Sequence, residues 1–325
     1  MAKLICFCVS ISLLLASTSH VIASVQPPEH FASWLRAFEQ EAITKGISSE
    51  TTNATLETAF LDEHVILLDQ RQPESVLSFN NYIQRIVTPE RIRDGRVLRQ
   101  KYADLLGPIS KQYGVAPELI VALWGIESSY GRNKGNYNIV DSLMTLAFQG
   151  RRPDYFRNEL FNALRIIDEE HIPASSLRGS WAGAMGQCQF MPSTFLLYAV
   201  DYNHTGTRDI WNQKTDVFAS IARYIAAEGW EEDKSWGQEV SLKNAIVLNK
   251  IGLNQSYTLK TWHDLGVRLM NGVPLDELPL QASLIQPDGV DGQSFLVYNN
   301  FRTLLKWNRS TYFALAVGLL TDRIK

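Results

Sequence analysis

The sequence predicts a mainly α, α+β chain: a helical body with a small strand-containing subdomain near the C-terminus. Three observations carry this. From Phe31 to Trp230 apolar residues recur three and four apart, and the gaps hold helix caps and breakers. After Trp236 the segments shorten, and Asn271-Gly272, Asp288-Gly289 and Asp291-Gly292 mark turns. From Thr311 to Ile324 the helical register returns, with Phe313, Ala316, Val317 and Leu320 on one face.

Taken in order, residues 1–24 carry one early lysine, an apolar run from Leu4 to Ala16 and small residues ending at Ala23-Ser24, the layout of a cleaved secretory signal peptide. The run is too short for a membrane span, which needs about 20 apolar residues. Cys6 and Cys8 lie inside it rather than at the cleavage point, so no lipid anchor is expected. Residues 25–235 read as the helical domain. In Pro153–Glu170, Phe156, Leu160, Phe161, Leu164 and Ile167 share a face; in Asp216–Glu228, Val217, Ile221, Tyr224 and Ile225 do, with Gly229 as the stop. Residues 236–300 read as the strand-containing subdomain, with strands at Glu239–Leu242 and Ser294–Tyr298, and residues 301–325 as a C-terminal helix packing back on the body. The chain has neither an internal repeat nor a low-complexity segment.

Composition narrows the function classes. With 45% hydrophobic and 20% charged residues the chain is ordinary globular protein. A net charge of -3 argues against nucleic acid as a partner, since that affinity comes from a basic surface. Beyond the signal only Cys188 remains, so no disulfide within the chain is available and the fold must rest on its core. Eight tryptophans and twelve tyrosines would suit a carbohydrate groove, although such rings more often fill a core.

Two segments hold candidate chemistry. Pro117–Ser128 reads as a helix whose apolar run, Leu119 to Ile126, delivers one carboxylate, Glu127, just before Ser128-Ser129-Tyr130-Gly131. Desolvation there would disfavour the ionised form and keep a proton on the carboxyl near neutral pH, as a general acid requires. The plainer reading makes Glu127 the first exposed residue where a core helix meets solvent. The second segment runs from Gly179 to Pro192, where small residues permit close backbone approach and Ser180, Gln187 and Gln189 offer neutral hydrogen-bonding groups suited to sugars. Its plainer reading is a tight connection whose glycines serve packing.

Together the segments resemble the membrane-bound lytic murein transglycosylase B family of the lysozyme-like superfamily. The resemblance rests on Ala122-Leu123-Trp124-Gly125-Ile126-Glu127-Ser128 and on the run from Trp181 to Phe195. Asn81-Tyr82, Thr88-Pro89-Glu90-Arg91-Ile92, Arg151-Arg152, Tyr224 ahead of Gly229-Trp230, and Trp307-Asn308-Arg309-Ser310 agree as well. The resemblance implies a lysozyme-like helical catalytic core without a cofactor. Peptidoglycan glycan strands would be the partner, and other cell-wall enzymes are conceivable ones. Activity would be non-hydrolytic cleavage between N-acetylmuramic acid and N-acetylglucosamine in the periplasm, leaving 1,6-anhydromuramic ends. Glu127 would serve as the single acid and base, and Ser180 would hydrogen-bond it. Gln189 and Tyr224 would line the muramic acid subsite and Tyr82 the groove, with Arg151 and Arg152 meeting the peptide stem and Asn308, Ser310 and Tyr312 at the rim. For the arginine pair, a solvated helix end is the plainer reading.

Some members of that family carry a calcium loop. The matching stretch here begins at Asp201, Asn203 and Thr205 and ends at Asn212, where a bidentate acid would close the shell. With those carboxylates missing and Arg208 adding positive charge, no tightly held metal is expected. Three rival functions remain: a cysteine hydrolase using Cys188 with His171, His204 or His263, a non-catalytic peptidoglycan-binding scaffold, and a hydrolytic lysozyme-like muramidase.

Overall fold

The computed structural model describes residues 29–70, 77–243, 250–275 and 280–325. The segment read from the sequence as a signal peptide, with Cys6 and Cys8, lies outside them. Three helices, α1 (Glu29–Thr44), α2 (Ser49–Leu56) and α3 (Glu63–Gln70), precede α4 (Phe79–Ile86), α5 (Pro89–Lys101), α6 (Ala103–Tyr113) and α7 (Pro117–Ser128). A two-residue strand β1 (Tyr137–Asn138) leads into α8 (Ile139–Gln149) and α9 (Pro153–Glu170). Strand β2 (Arg178–Gly179) pairs with β1, and α10 (Pro192–Tyr198) and α11 (Lys214–Ala227) complete the helical body.

Helix α7 is the centre of that body. Pro117 at its first turn fits because the missing N–H would have no partner there. Residues 118 to 125 are all buried, so the helix is covered on every side, by α5, α6, α11 and α14 (Thr311–Ile324). Glu118 is tolerated in this setting because Arg99 pairs with it.

The second part is a five-stranded antiparallel sheet built from β3 (Gly237–Leu242), β4 (Tyr257–Thr258), β5 (Val267–Leu269), β6 (Gln281–Ile285) and β7 (Ser294–Val297), in the order β4-β6-β7-β3-β5. Its central strand β7 is buried on both faces. Phe295 and Val297 join the helical core, while Leu296 packs with Val240, Leu284 and Trp262 in a smaller cluster under α12 (Leu259–Asp264). Two-sided burial explains why Ser294 to Tyr298 shows no clean alternation of apolar and polar residues in the sequence. Trp236 fixes the sheet to the body: its backbone carbonyl accepts from Tyr298 N at 2.9 Å, and its indole N–H donates to Asp322 on α14 at 2.9 Å.

Two sequence expectations change in detail. Helix α12 falls inside the segment read as strands and turns, because six residues capped by Thr258 are too short to show periodicity. Residues 301–325 form two helices rather than one. Helix α13 (Asn299–Trp307) ends where Asn308 is extended, and Ser310, accepting from Phe313 N at 3.3 Å, starts α14 anew.

Candidate active site

Glu127 is the penultimate residue of α7. Immediately beyond it the chain turns through two non-glycine residues in the left-handed region, Ser129 at φ 50° and Tyr130 at φ 63°. Such backbone is uncommon without glycine, and here packing holds it in place. Tyr130 is buried against Trp124 and donates its hydroxyl to Arg91 O at 2.6 Å, while Ser128 Oγ accepts from Gly131 N at 3.1 Å. The helix therefore stops abruptly and leaves the Glu127 side chain at its end, half-buried rather than sealed or fully solvated.

Burial raises the Glu127 carboxyl from 4.5 to about 7, and a hydrogen bond from Trp307 opposes the rise. That bond, Trp307 Nε1 to Glu127 Oε1 at 2.7 Å, joins the end of α7 to the end of α13. The indole is itself clamped. Tyr224 meets it edge-on with ring centroids 4.7 Å apart, and Phe190 lies at 5.4 Å. The Tyr224 hydroxyl donates to Lys306 O at 2.8 Å, which tethers the residue before Trp307. Sequence reasoning placed Tyr224 against substrate; the structure adds this bracing contact. It had matched Trp307 only as part of a motif and missed it as the partner of Glu127.

The segment from Gly179 to Pro192 folds on itself. Ser180 N donates to Ala184 O at 2.8 Å, Ser180 Oγ accepts from Ala184 N at 3.0 Å, and Met185 pairs with Phe190 in both directions. Gly179 serves packing, since a Cβ there would collide with Ala184 O. The expected bond from Ser180 to Glu127 is not formed: the Ser180 oxygen caps its own turn, and Trp307 occupies the carboxyl instead.

The two glutamines of the loop differ. Gln187 is 2% exposed and fully engaged: Oε1 accepts from Trp124 Nε1 at 2.9 Å and Lys214 Nζ at 3.0 Å, and Nε2 donates to Trp211 O at 2.6 Å. It is a structural clamp. Gln189 is half-buried, with φ 52°, and its amide nitrogen donates to Lys134 O at 3.1 Å and Gly186 O at 2.8 Å. With both donors committed to backbone, Gln189 presents its carbonyl oxygen as an acceptor.

On the other flank, α4 carries Tyr82. Its N-terminus is capped by Asp288 from the turn after β6, which accepts from Phe79 N at 2.5 Å and Asn80 N at 3.2 Å. Tyr82 stands 5.7 Å from the Tyr312 ring, and its phenol is pushed up by burial and by the charge of Glu127. Tyr312 is in turn held by Phe79 and by its hydroxyl bond to Asp288 at 3.3 Å. Asn308 and Ser310 are exposed; Asn308 Oδ1 accepts from Ser310 N at 3.0 Å, so both shape the turn beside Trp307.

Arg151 and Arg152 lie in the connection between the C-terminal end of α8 and the start of α9. Arg151 is ion-paired with Asp69 at 3.4 Å, and the Arg152 guanidinium lies over Tyr155 and Phe156 at 4.8 and 5.2 Å. Both remain exposed.

Cys188 is fully buried, bonded through Sγ to Val217 O at 3.5 Å, and burial pushes its thiol well up. A thiolate nucleophile is disfavoured there, which removes the cysteine-hydrolase reading. In the degenerate loop both Asp201 oxygens accept backbone N–H groups, from Thr205 at 2.9 Å and Gly206 at 2.8 Å, and Asn203 donates to Thr215 Oγ1 at 3.1 Å. Arg208 pairs with Glu170 and Glu169. At the fifth and twelfth positions stand Thr205 and Asn212, so the loop lacks the bidentate acid that closes a tight calcium shell.

Residues 30–322 match the model of the transglycosylase SLT domain. The chain is 33% identical over 278 residues to membrane-bound lytic murein transglycosylase B of Escherichia coli (strain K12), covering 81% of this chain and 74% of that protein. Its fold superposes on SltB3 of Pseudomonas aeruginosa, solved in complex with NAG-anhNAM-pentapeptide, with a TM-score of 0.87 and 41% identity over 90% of this chain and 78% of that one. It also superposes on the Escherichia coli lytic transglycosylase Slt35, solved in complex with calcium, with a TM-score of 0.76 and 31% identity over 89% of this chain and 92% of that one. By the breadth of these matches, the chain belongs to the SLT-domain transglycosylase family.

Proposed function

We propose that this protein is a lytic transglycosylase cleaving the bond between N-acetylmuramic acid and N-acetylglucosamine in peptidoglycan, with Glu127 as its single acid and base. One observation carries the reading: a half-buried carboxyl at the end of a buried helix, held neutral to about pH 7 by desolvation. Protonated Glu127 donates to the glycosidic oxygen. As carboxylate it then takes the proton from the C6 hydroxyl while that oxygen attacks C1, which restores the starting acid. A hydrolase usually needs a second carboxylate about 5 to 10 Å from the first. The side chain bonded to Glu127, Trp307, is neutral, and so is the Tyr82 phenol that feels its charge. The bound anhNAM fragment in the SltB3 complex supports the same chemistry.

In this reading the Gln189 carbonyl accepts from a sugar N–H or hydroxyl, Tyr224 walls the muramic acid subsite, and Tyr82 and Tyr312 form the opposite wall. Arg151 and Arg152 take the carboxylates of a peptide stem that reaches beyond the glycan, and Asn308 and Ser310 edge the site. The proposed substrate and the signal-like layout of residues 1–24 support a periplasmic location. Among the described residues no helix is long and apolar enough to cross a membrane.

Mass spectrometry of purified peptidoglycan digested with wild type and with Glu127→Gln tests the proposal. Muramic ends lighter than hydrolysed ends by one water, about 18 mass units, are expected from wild type and none from the variant. Reducing ends at full hydrated mass would instead mean a hydrolytic muramidase. Persistent lysis by Glu127→Gln would remove Glu127 from the chemistry, and intact sacculi with both proteins would leave a binding scaffold.

A further inference from the structure

A single carboxyl that must first give a proton and then take one back has to keep one oxygen aimed at the sugar throughout. In this structure Glu127 Oε1 accepts from Trp307 Nε1 at 2.7 Å. An indole N–H is a donor only. It can bond the carboxylate, and it can bond the acid, where the carbonyl oxygen is a better acceptor than the hydroxyl. The same contact therefore persists in both protonation states and holds Oε1 as the carbonyl, leaving the acid hydrogen on Oε2. A hydroxyl or a second carboxyl in that position would reverse roles as the proton moved.

We propose that Trp307 is the positioning residue of Glu127: its indole N–H, clamped by Phe190 and Tyr224, occupies Oε1 through the whole cycle and reserves Oε2 for both proton transfers. This rests on the reading of Glu127 as acid and base. The clamp is built for constancy. Phe190 and Tyr224 grip the indole ring at 5.4 and 4.7 Å, Tyr224 OH holds Lys306 O at 2.8 Å, and Lys306 Nζ donates to Glu228 O at 2.6 Å. Three consecutive links thus tie the donor to α11 rather than to the mobile sugar. The bond is made across 180 residues of sequence, so both ends of the fold must be in place before the acid is correctly set.

Removing the donor should act in two ways. Orientation is lost, which costs roughly 10- to 100-fold in turnover. The hydrogen bond also favours the carboxylate, so without it the acid form persists to higher pH. The free enzyme starts protonated, and activity falls as pH rises through the value for Glu127; that alkaline limb should move up by about one pH unit. Other groups around the site do not mimic this shift. Tyr82 on α4, Tyr224 on α11 and the Cys188 thiol are all pushed up by burial, and the Arg91 guanidinium on α5 reaches Ser129 Oγ at 3.5 Å.

The test compares rates of soluble product release from purified peptidoglycan, from pH 5 to 9, for wild type, Trp307→Phe and protein carrying benzothienylalanine at 307. The last keeps the indole shape but replaces N–H by sulfur, so it folds even if the phenylalanine variant does not. Both should be slower and both limbs should move upward. A slower enzyme with an unmoved limb would make Trp307 a packing residue and overturn the inference, as would full activity without the N–H. Glu127→Gln is run alongside: if it retains lysis, the reading of Glu127 fails as well, whereas an inactive Glu127→Gln with an unmoved limb at 307 defeats only the positioning role.

Discussion

Replacing Glu127 by glutamine should make the protein more stable at alkaline pH while abolishing lysis. The glutamate carboxyl, ordinarily at 4.5, is raised to about 7 by burial. A folded-state value above the unfolded one means that the folded protein binds more protons between the two, so wild-type stability falls as pH rises from about 4.5 to 7 and levels off above that. At roughly 1.4 kcal/mol for each pH unit, the ionised side chain costs the fold about 2–3 kcal/mol once the water that reaches its half-buried end is allowed for. Glutamine is nearly isosteric, keeps an oxygen for Trp307 and never ionises, so it escapes this cost. Urea unfolding of both proteins at pH 4.5 and pH 8.5 measures the difference. The gap in unfolding free energy should widen by about 2–3 kcal/mol in favour of glutamine at the higher pH. Asp141, also raised by burial, to about 6, bends both curves alike and cancels in the comparison. A gap that is the same at both pH values would show that Glu127 ionises as freely in the fold as in the unfolded chain, and the argument for a neutral general acid would fail.

Three further outcomes follow from the surrounding structure. Gln187→Leu should destabilise the protein by about 2–4 kcal/mol in urea unfolding, because it strands the buried N–H of Trp124, the ammonium of Lys214 and the carbonyl of Trp211; a change under 1 kcal/mol would show that those bonds are not a unit. Calorimetric titration with calcium should give no micromolar binding, and Arg208→Ala should lower stability by about 1–3 kcal/mol with or without calcium, since the guanidinium answers the largely buried Glu170 carboxylate. Micromolar affinity would mean that Asp201 exchanges its backbone partners for the metal.

Local signals account for what the sequence revealed. Helix α7 was legible to the residue, because Pro117 opens it and one unbroken apolar run fills it. Helices α9 and α14 were equally clear, having long one-sided stripes. Helix α12, at six residues, has too few turns to show a stripe, and the break at Asn308 was hidden because residues on both sides of it have helical character. At the site, the sequence pointed to Glu127 through its apolar approach, and in the structure Tyr82 feels the Glu127 charge and meets Tyr312, while Tyr224 packs on the Trp307 indole bonded to Glu127. It could not separate Gln187 from Gln189. Both are neutral amides in one loop, and only burial shows that the first locks the loop while the second faces outward.

The partner of Glu127 was the hardest feature to read, and the reason is physical. A tryptophan in a helix beside aromatic residues has the signature of core, and Trp307 is indeed packed by Phe190 and Tyr224. What makes it more than core is one N–H vector, set by the turn of α13 against α7 and invisible to composition or periodicity. The same vector answers a problem that the buried carboxyl creates. Desolvation alone would raise Glu127 further and leave it a poor base, whereas one neutral donor lowers the value without adding a charge that would hold the carboxylate permanently. A lysine or arginine at 307 would overshoot, fixing Glu127 as the anion at neutral pH and removing the acid. An apolar side chain would leave it protonated too firmly to accept the C6 proton. A neutral, donor-only ring lies between those failures, which is what a group required to act as acid and base within one turnover demands of its neighbour.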